Sequence, residues 1–355
     1  MTGAAYKRKM PHFLVRCAMG IVMDGVVRPG VWVLERLGHT EKVATWLGAR
    51  LAQRLAKKNP FRNYTPTAHD IVVAAYVKSG TNWMMQIAHQ LAFHGNGEFE
   101  HIHCVVPWPD TADGGPMSGY AIPVDDPSVW MASPERRRVI KTHFDWTLLP
   151  YSEEARYISV IRDPKDVFVS SYHFFAKSTL RSSISIDTWL ELFLSERCPM
   201  WGSWAASTAS YWAQRHKPNV LIVSFKAMKR DLRGTVRRVA EFLDIRVSDE
   251  VIDRVAEQSS FEYMKRVDEK FRVWKMVPWG RETTMVRTGA QGGSSELLTP
   301  EQQRQVDELF MAELKRLGSD FPYEEFCDVA RGPIAEPSLG HEPTGAPLFR
   351  SGVSD

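Results

Sequence analysis

The sequence is poor in cysteine, in metal-ligand spacing and in apolar runs long enough to cross a bilayer. Its four cysteines (Cys17, Cys104, Cys198, Cys327) lie scattered through 355 residues without paired spacing. That excludes a disulfide frame and reads as free thiols in a reducing, cytoplasmic compartment. Eleven histidines show no ligand pattern, and His101 and His103 read as a loop pair. The longest apolar stretch, Phe13–Met23, contains Arg16 and stops at Asp24, short of the ~20 residues a spanning helix needs. Lys7, Arg8 and Lys9 before it imitate a signal peptide, but the charge inside the apolar part argues against export. No internal repeat is found. An apolar fraction of 44% and a charged fraction of 25% are ordinary for a soluble globular chain, and the length suffices for one large core.

Charge is unevenly placed although the net is only +3. Residues 1–62 hold 12 Lys/Arg against 3 Asp/Glu, and the remainder holds 33 against 39. The basic segment also carries helical stretches, Phe13–Val27, Val31–Leu37 and Val43–Leu55. In the last, Val43, Trp46, Leu47, Leu51 and Leu55 recur at helical spacing beside Arg50, Arg54, Lys57 and Lys58. Such a helix binds an anionic membrane surface, caps a substrate tunnel, or docks on the domain with its basic face in water. The last is the preferred expectation. Residues 331–355, with four Pro and four Gly and no hydrophobic period, are expected to form a flexible tail.

Between these ends the chain alternates apolar strands with helical patterns. Strands are expected at 70–77, 138–142, 156–162 and 219–225. Helices are expected at 82–94, 164–177, 186–195 and 204–216, with more to about 265, while 95–137 and 266–298 look irregular. Continuous apolar strands alternating with helices imply a parallel sheet covered on both faces, an α/β fold. The 266–298 loop carries Phe271, Trp274, Trp279 and Arg287, and reads as a lid.

The first strand, Ile71-Val72-Val73-Ala74-Ala75, opens into Tyr76-Val77-Lys78-Ser79-Gly80-Thr81-Asn82-Trp83. Free backbone N–H groups at a helix start, the helix dipole and a lysine make an anion site. A plain turn with a helix cap has the same composition. A second strand, Val139-Ile140-Lys141-Thr142-His143, ends in a cation and a titratable base, both pointing to one face two residues apart. A third, Tyr157–Ile161, runs into Arg162-Asp163-Pro164 and on to Ser170, with the proline suited to a first helical turn.

Two anion junctions plus a Lys-Thr-His strand end resemble the cytosolic type of sulfotransferase that uses 3'-phosphoadenosine 5'-phosphosulfate (PAPS). The resemblance runs from about Thr67 to about Tyr323, with motifs in the family's order. It implies a P-loop-like sulfotransferase fold, a central parallel β-sheet flanked by α-helices. The chain would then divide into a helical extension (1–62), a sulfotransferase domain (63–330) and a tail (331–355). Lys78 through Trp83 looks like the family's 5'-phosphosulfate loop, and Arg162 through Ser170 its 3'-phosphate motif, continuing as Ser171-Tyr172-His173-Phe174. Gly202-Ser203-Trp204 matches a family motif, and Ser259, Ser260 and Phe261 fall where adenine contacts lie. Arg287-Thr288-Gly289 stands where the family has Arg-Lys-Gly.

The resemblance implies roles as well. His143 is the base that takes the proton of the acceptor hydroxyl. Lys78 and Lys141 neutralise charge on the sulfuryl group and the leaving phosphate. Arg162, Ser170 and Arg287 hold the 3'-phosphate, with Ser170 counted among the catalytic positions. Ser79, Gly80, Thr81 and Asn82 cradle the 5'-phosphate, and Trp83 stacks on adenine. The product is 3'-phosphoadenosine 5'-phosphate (PAP), and the scheme needs no metal.

Departures are visible too. Thr288 replaces a lysine, Gly292-Gly293-Ser294-Ser295 replaces Gly-Asp-Trp-Lys and with it a dimer motif, and Phe225 stands where tyrosine usually contacts the nucleotide. The acceptor wall is read from aromatics: Trp108, Phe144, Phe174 and Trp274, with Val105, Val106, Met117, Tyr120, Ile122, Trp130 and Trp146 as further lining. An apolar molecule bearing a hydroxyl (a phenol, sterol or lipid-like alcohol) fits such a wall, an amine less well. No nucleic-acid partner is expected, and the oligomeric state is open.

Two rival classes fit the residues less well. A P-loop kinase or NTPase needs Gly-x-x-x-x-Gly-Lys-Ser/Thr, but here Lys78 precedes the glycine, and no magnesium-holding aspartate follows strand 219–225. A non-catalytic nucleotide-binding or membrane-peripheral module would have no need of His143.

Overall fold

A computed structural model describes residues 13–57, 59–61, 63–111, 120–177, 179–181, 183–195, 202–272, 284–287 and 292–330. Four strands form one all-parallel sheet: β1 (Asp70–Ala74), β2 (Arg138–Thr142), β3 (Arg156–Ile161) and β4 (Val220–Ser224). Their order is β2-β1-β3-β4, with Val72 beside Ile140 and Tyr157, and Ile158 beside Leu221. The strands are buried nearly throughout, as continuous β-branched runs require when both faces are covered. Side chains alternate. Ile71 and Val73 face a core with Met84, Ile87, Val239 and Val255, while Val72 and Ala74 face Tyr157, Tyr211 and Val220.

The helices used below are α1 (Phe13–Arg36), α2 (Thr40–Lys57), α3 (Thr81–Ala92), α4 (Pro164–Ser171), α5 (Ile186–Leu194), α6 (Trp204–Trp212) and α7 (Pro300–Arg316). β1 ends earlier than its apolar run suggested. Tyr76 and Val77 stay buried but already belong to the turn, so apolarity outlasts pairing. Asp163 caps α4 by accepting from Lys165 N at 2.8 Å, with Pro164 at its start. α4 continues as a wide π turn, Tyr172–Lys177. Lys165 is buried against Asp163 and Asp307, which ties α4 to α7.

At the N-terminus two expected helices are one. α1 runs 24 residues from Phe13 to Arg36, so the apolar stretch does not stop at Asp24. Asp24 pairs with Arg28 one turn on, which keeps the charge inside the helix. A π turn at Met23–Val27 widens the coil where the Pro29 ring would meet the Gly25 carbonyl. The tail 331–355 lies outside the described residues.

Candidate active site

The loop after β1 is held in a shape few sequences allow. Lys78 has φ 63° and Gly80 φ 104°, and α3 begins at the next residue. A Cβ on Gly80 would stand 2.8 Å from the Phe225 ring, so glycine is required for space as well as for conformation. Arg162 reaches back from the end of β3 and donates to the Lys78 carbonyl at 3.1 Å. Its guanidinium lies over the Phe225 ring at 4.3 Å and beside Asp166 at 3.7 Å. Both junctions thereby form one surface.

Lys78 points across the Phe174 ring, 4.2 Å from its centroid, and Lys141 across the Trp108 ring at 3.5 Å. Protein around both ammonium groups disfavours their charge. Burial, aided by Arg162 and opposed by Asp268, pushes Lys78 down to about 8, and burial pushes Lys141 to about 7 against the pull of Asp110, with Lys78 adding repulsion. His143 follows the same logic: burial and then the Lys141 charge lower it to about 3, so the ring is neutral. Its Nδ1 lies 2.9 Å from the Ala75 carbonyl. A neutral ring bonded this way carries its proton on Nδ1 and leaves Nε2 as the acceptor.

Sequence reasoning missed Asp110, which holds that strand end in place. Its carboxylate accepts from His143 N at 2.7 Å and from Thr142 Oγ1 at 2.8 Å. Burial raises its pKa, against the pull of these donors and of Lys141. Only Pro109 before it marked a turn. Asp268 was missed as well. It accepts from the backbone of Met285 and Val286, 2.8 Å each, so it pins one flank of the expected lid near Lys78.

The remaining expected positions divide. Trp83 donates Nε1 to the Ser259 carbonyl at 2.7 Å and meets Phe225 edge-on. The hydroxyls of Ser79, Thr81 and Ser259 are buried without a hydrogen-bond partner. Asn82 is half-buried at the start of α3, Phe261 begins the helix after Ser259, and Ser170 is half-buried on the last turn of α4. Arg287 pairs with Glu296, which also holds His173 Nε2 at 2.8 Å. Thr288, Gly289, Met117, Trp274 and Trp279 lie outside the described residues. Phe144 meets Phe61 edge-on at 6.3 Å. Two aromatics expected to line the acceptor wall sit elsewhere. Trp130 stacks on His69 ahead of β1, and Trp146 packs on Tyr151, Tyr157 and Tyr211. Gly202-Ser203-Trp204 is a support: Trp204 is fully buried and donates to the Arg162 carbonyl at 3.1 Å.

Two depressed lysines and three orphaned hydroxyls around a loop and a helix start fit an anionic ligand with several oxygens. Comparison with known proteins agrees. The sulfotransferase domain family matches residues 68–318. A luciferin sulfotransferase of Photinus pyralis is 34% identical over 213 residues, covering 55% of this chain and 56% of that protein. An amine sulfotransferase of Oryctolagus cuniculus is 29% identical over 268 residues, covering 73% of this chain and 84% of that protein. Among solved structures, retinol dehydratase in complex with retinol and PAP gives a TM-score of 0.62 at 23% identity, covering 76% of this chain and 88% of that one. That likeness concerns the fold.

Proposed function

Because the chain belongs to the sulfotransferase family, we propose that it transfers a sulfuryl group from PAPS to the hydroxyl of a small apolar or aromatic acceptor. The observation that carries this reading is the neutral imidazole of His143 set beside half-buried Lys78 and buried Lys141, whose charges desolvation disfavours. Cations whose desolvation outweighs the pull of Asp110 and Asp268 call for a further anion, and a neutral Nε2 beside them calls for a proton to accept. Relatives named for luciferin and for amines support a small-molecule acceptor.

In this reading Lys78, Ser79, Gly80, Thr81 and Asn82 hold the 5'-phosphate, with backbone N–H groups at the start of α3. Arg162, Ser170 and Arg287 hold the 3'-phosphate, and Arg287 exchanges Glu296 for it. Trp83, Phe225, Ser259 and Phe261 flank the adenine. PAPS supplies the sulfuryl group, which passes to the acceptor oxygen as the bond to the 5'-phosphate oxygen breaks. His143 Nε2 takes the hydroxyl proton while the Ala75 carbonyl orients the ring and Asp110 holds the His143 backbone. Lys141 and Lys78 stabilise charge that grows on the transferred group and the leaving phosphate. Anionic oxygens beside these lysines raise the basicity of His143, which their unneutralised charges otherwise suppress. Trp108 and Phe174 wall the acceptor.

Thermal unfolding with PAP, 5'-AMP or magnesium-ATP tests this. At a hundredfold excess over its dissociation constant a ligand adds about 2.7 kcal/mol, a shift of roughly 4 °C for a chain of this size. A shift with PAP alone is expected. A shift with magnesium-ATP alone would mean a phosphoryl-transfer protein and sink the proposal.

A further inference from the structure

The N-terminal helices hold charge inward and apolar groups outward. On one side of α1, Arg28 is buried and donates to the Thr179 carbonyl, at 2.8 Å from Nη2 and 3.2 Å from Nε. Arg28 also pairs with Asp24, which Arg181 approaches at 3.6 Å. Two turns further on, Glu35 accepts from Ser185 N at 2.9 Å and Thr188 Oγ1 at 2.8 Å. Elsewhere along α1 Leu14, Ile21, Val22, Val26 and Val33 are 45–68% exposed, and Trp32, one turn after Arg28, is 49% exposed. Trp46 and Leu47 of α2 are exposed too, each 53%. Beside this apolar exposure stand Arg36 and Arg50, while Lys58 and the side chains of Arg54 and Lys57, which complete the expected basic face, lie outside what the structure describes.

We infer that α1 and α2 dock the protein, in plane, on an anionic phospholipid bilayer. Large apolar side chains exposed repeatedly along two helices mark a docking surface, and charge identifies the occupant. The first 62 residues carry 12 Lys/Arg against 3 Asp/Glu, while the rest of the chain is net negative. An anionic surface attracts such a segment by about 1 kcal/mol per basic residue near it. The aromatic and cationic groups are also paired as an interface demands: Arg36 lies 4.4 Å over Trp32, and Arg50 4.1 Å over Trp46. By length and composition α1 could cross a bilayer. Its clamp forbids that, because the Asp24–Arg28 pair near its middle is fixed to Thr179 of the folded domain. The clamped segment continues from the turn carrying Phe174, which covers Lys78. Where the proposed function holds, the acceptor class narrows to alcohols that partition into lipid.

Flotation of the full chain with vesicles tests the docking without any activity readout. The protein is expected to float with phosphatidylcholine–phosphatidylserine vesicles at low salt. It should float at least about tenfold less with phosphatidylcholine alone or at high salt. Ile21→Glu/Val22→Glu/Val26→Glu should stay at the bottom while keeping its circular dichroism and its PAP-induced thermal shift. Arg36→Glu/Arg50→Glu should lose only the preference for anionic lipid. A wild type that never floats, or a triple variant that floats as well as wild type, overturns the inference. So does a wild-type dimer that the triple variant converts to monomer, since a second copy would then cover the face. Flotation without any PAP shift would leave docking standing and fail the sulfotransferase reading.

Discussion

The strand ends of the sheet and the N-terminal helices break opposite rules of burial. At the strand ends Lys78, Lys141 and Arg162 are withdrawn from water, and burial lowers the pKa of each. In α1 and α2 it is Val, Ile, Leu and Trp that face solvent. A folded chain accepts both arrangements only at a cost, of desolvated charge in one case and hydrated apolar surface in the other. The contrast teaches that each region is shaped for something outside the chain: an anion for the first, a lipid surface for the second.

The sharpest way to break the comparison is to separate proton transfer from anion binding inside the first region. His143→Ala should lower kcat by about a thousandfold or more and leave PAP affinity within about threefold, because the base acts only in the chemical step. Arg162→Ala should weaken PAP binding by about 10- to 100-fold through loss of a charge-assisted contact. Steady-state kinetics and calorimetry read the two effects, and equal loss of binding in both variants would mean the roles are misassigned. Lys141→Met should abolish transfer, and steady-state turnover above about a hundredth of the wild-type rate would remove Lys141 from the chemical step. Gly80→Ala should cost about 2 kcal/mol from strain at positive φ and contact with Phe225, again read by denaturant melts. The smallest effect belongs to the other region. Ile21→Glu/Val22→Glu/Val26→Glu should leave kcat on a water-soluble acceptor within about twofold, since those side chains face away from the domain.

Much of the first region could be read from sequence because its grammar is local. A strand, a glycine turn and a helix start occupy consecutive residues, and the spacing of Lys141 and His143 fixes a common face. Asp110 and Asp268 could not be read this way. Asp110 meets its partners 32 and 33 positions away in the chain, and an isolated aspartate carries no periodic signal. Trp130 and Trp146 misled because aromatic content does not say which surface a ring covers. In the second region, composition gave charge and apolar content without their arrangement. Asp24 looked like a stop, yet pairing with Arg28 makes it part of the helix and the point of attachment to the domain.

The central claim is that Lys78 and Lys141 wait for an anion, and the proton balance of PAP binding tests it most directly. Between pH 7 and 9 a phosphate monoester is already dianionic, so any pH dependence comes from the protein. With free-state pKa values of about 8 for Lys78 and about 7 for Lys141, both groups lose protons as pH rises through this window. Binding an anion then has to restore those protons. Calorimetry in buffers of different ionisation enthalpy should therefore find proton uptake, with affinity falling at least about tenfold from pH 7 to 9. Affinity that is flat across that window, with no proton taken up, would contradict the account.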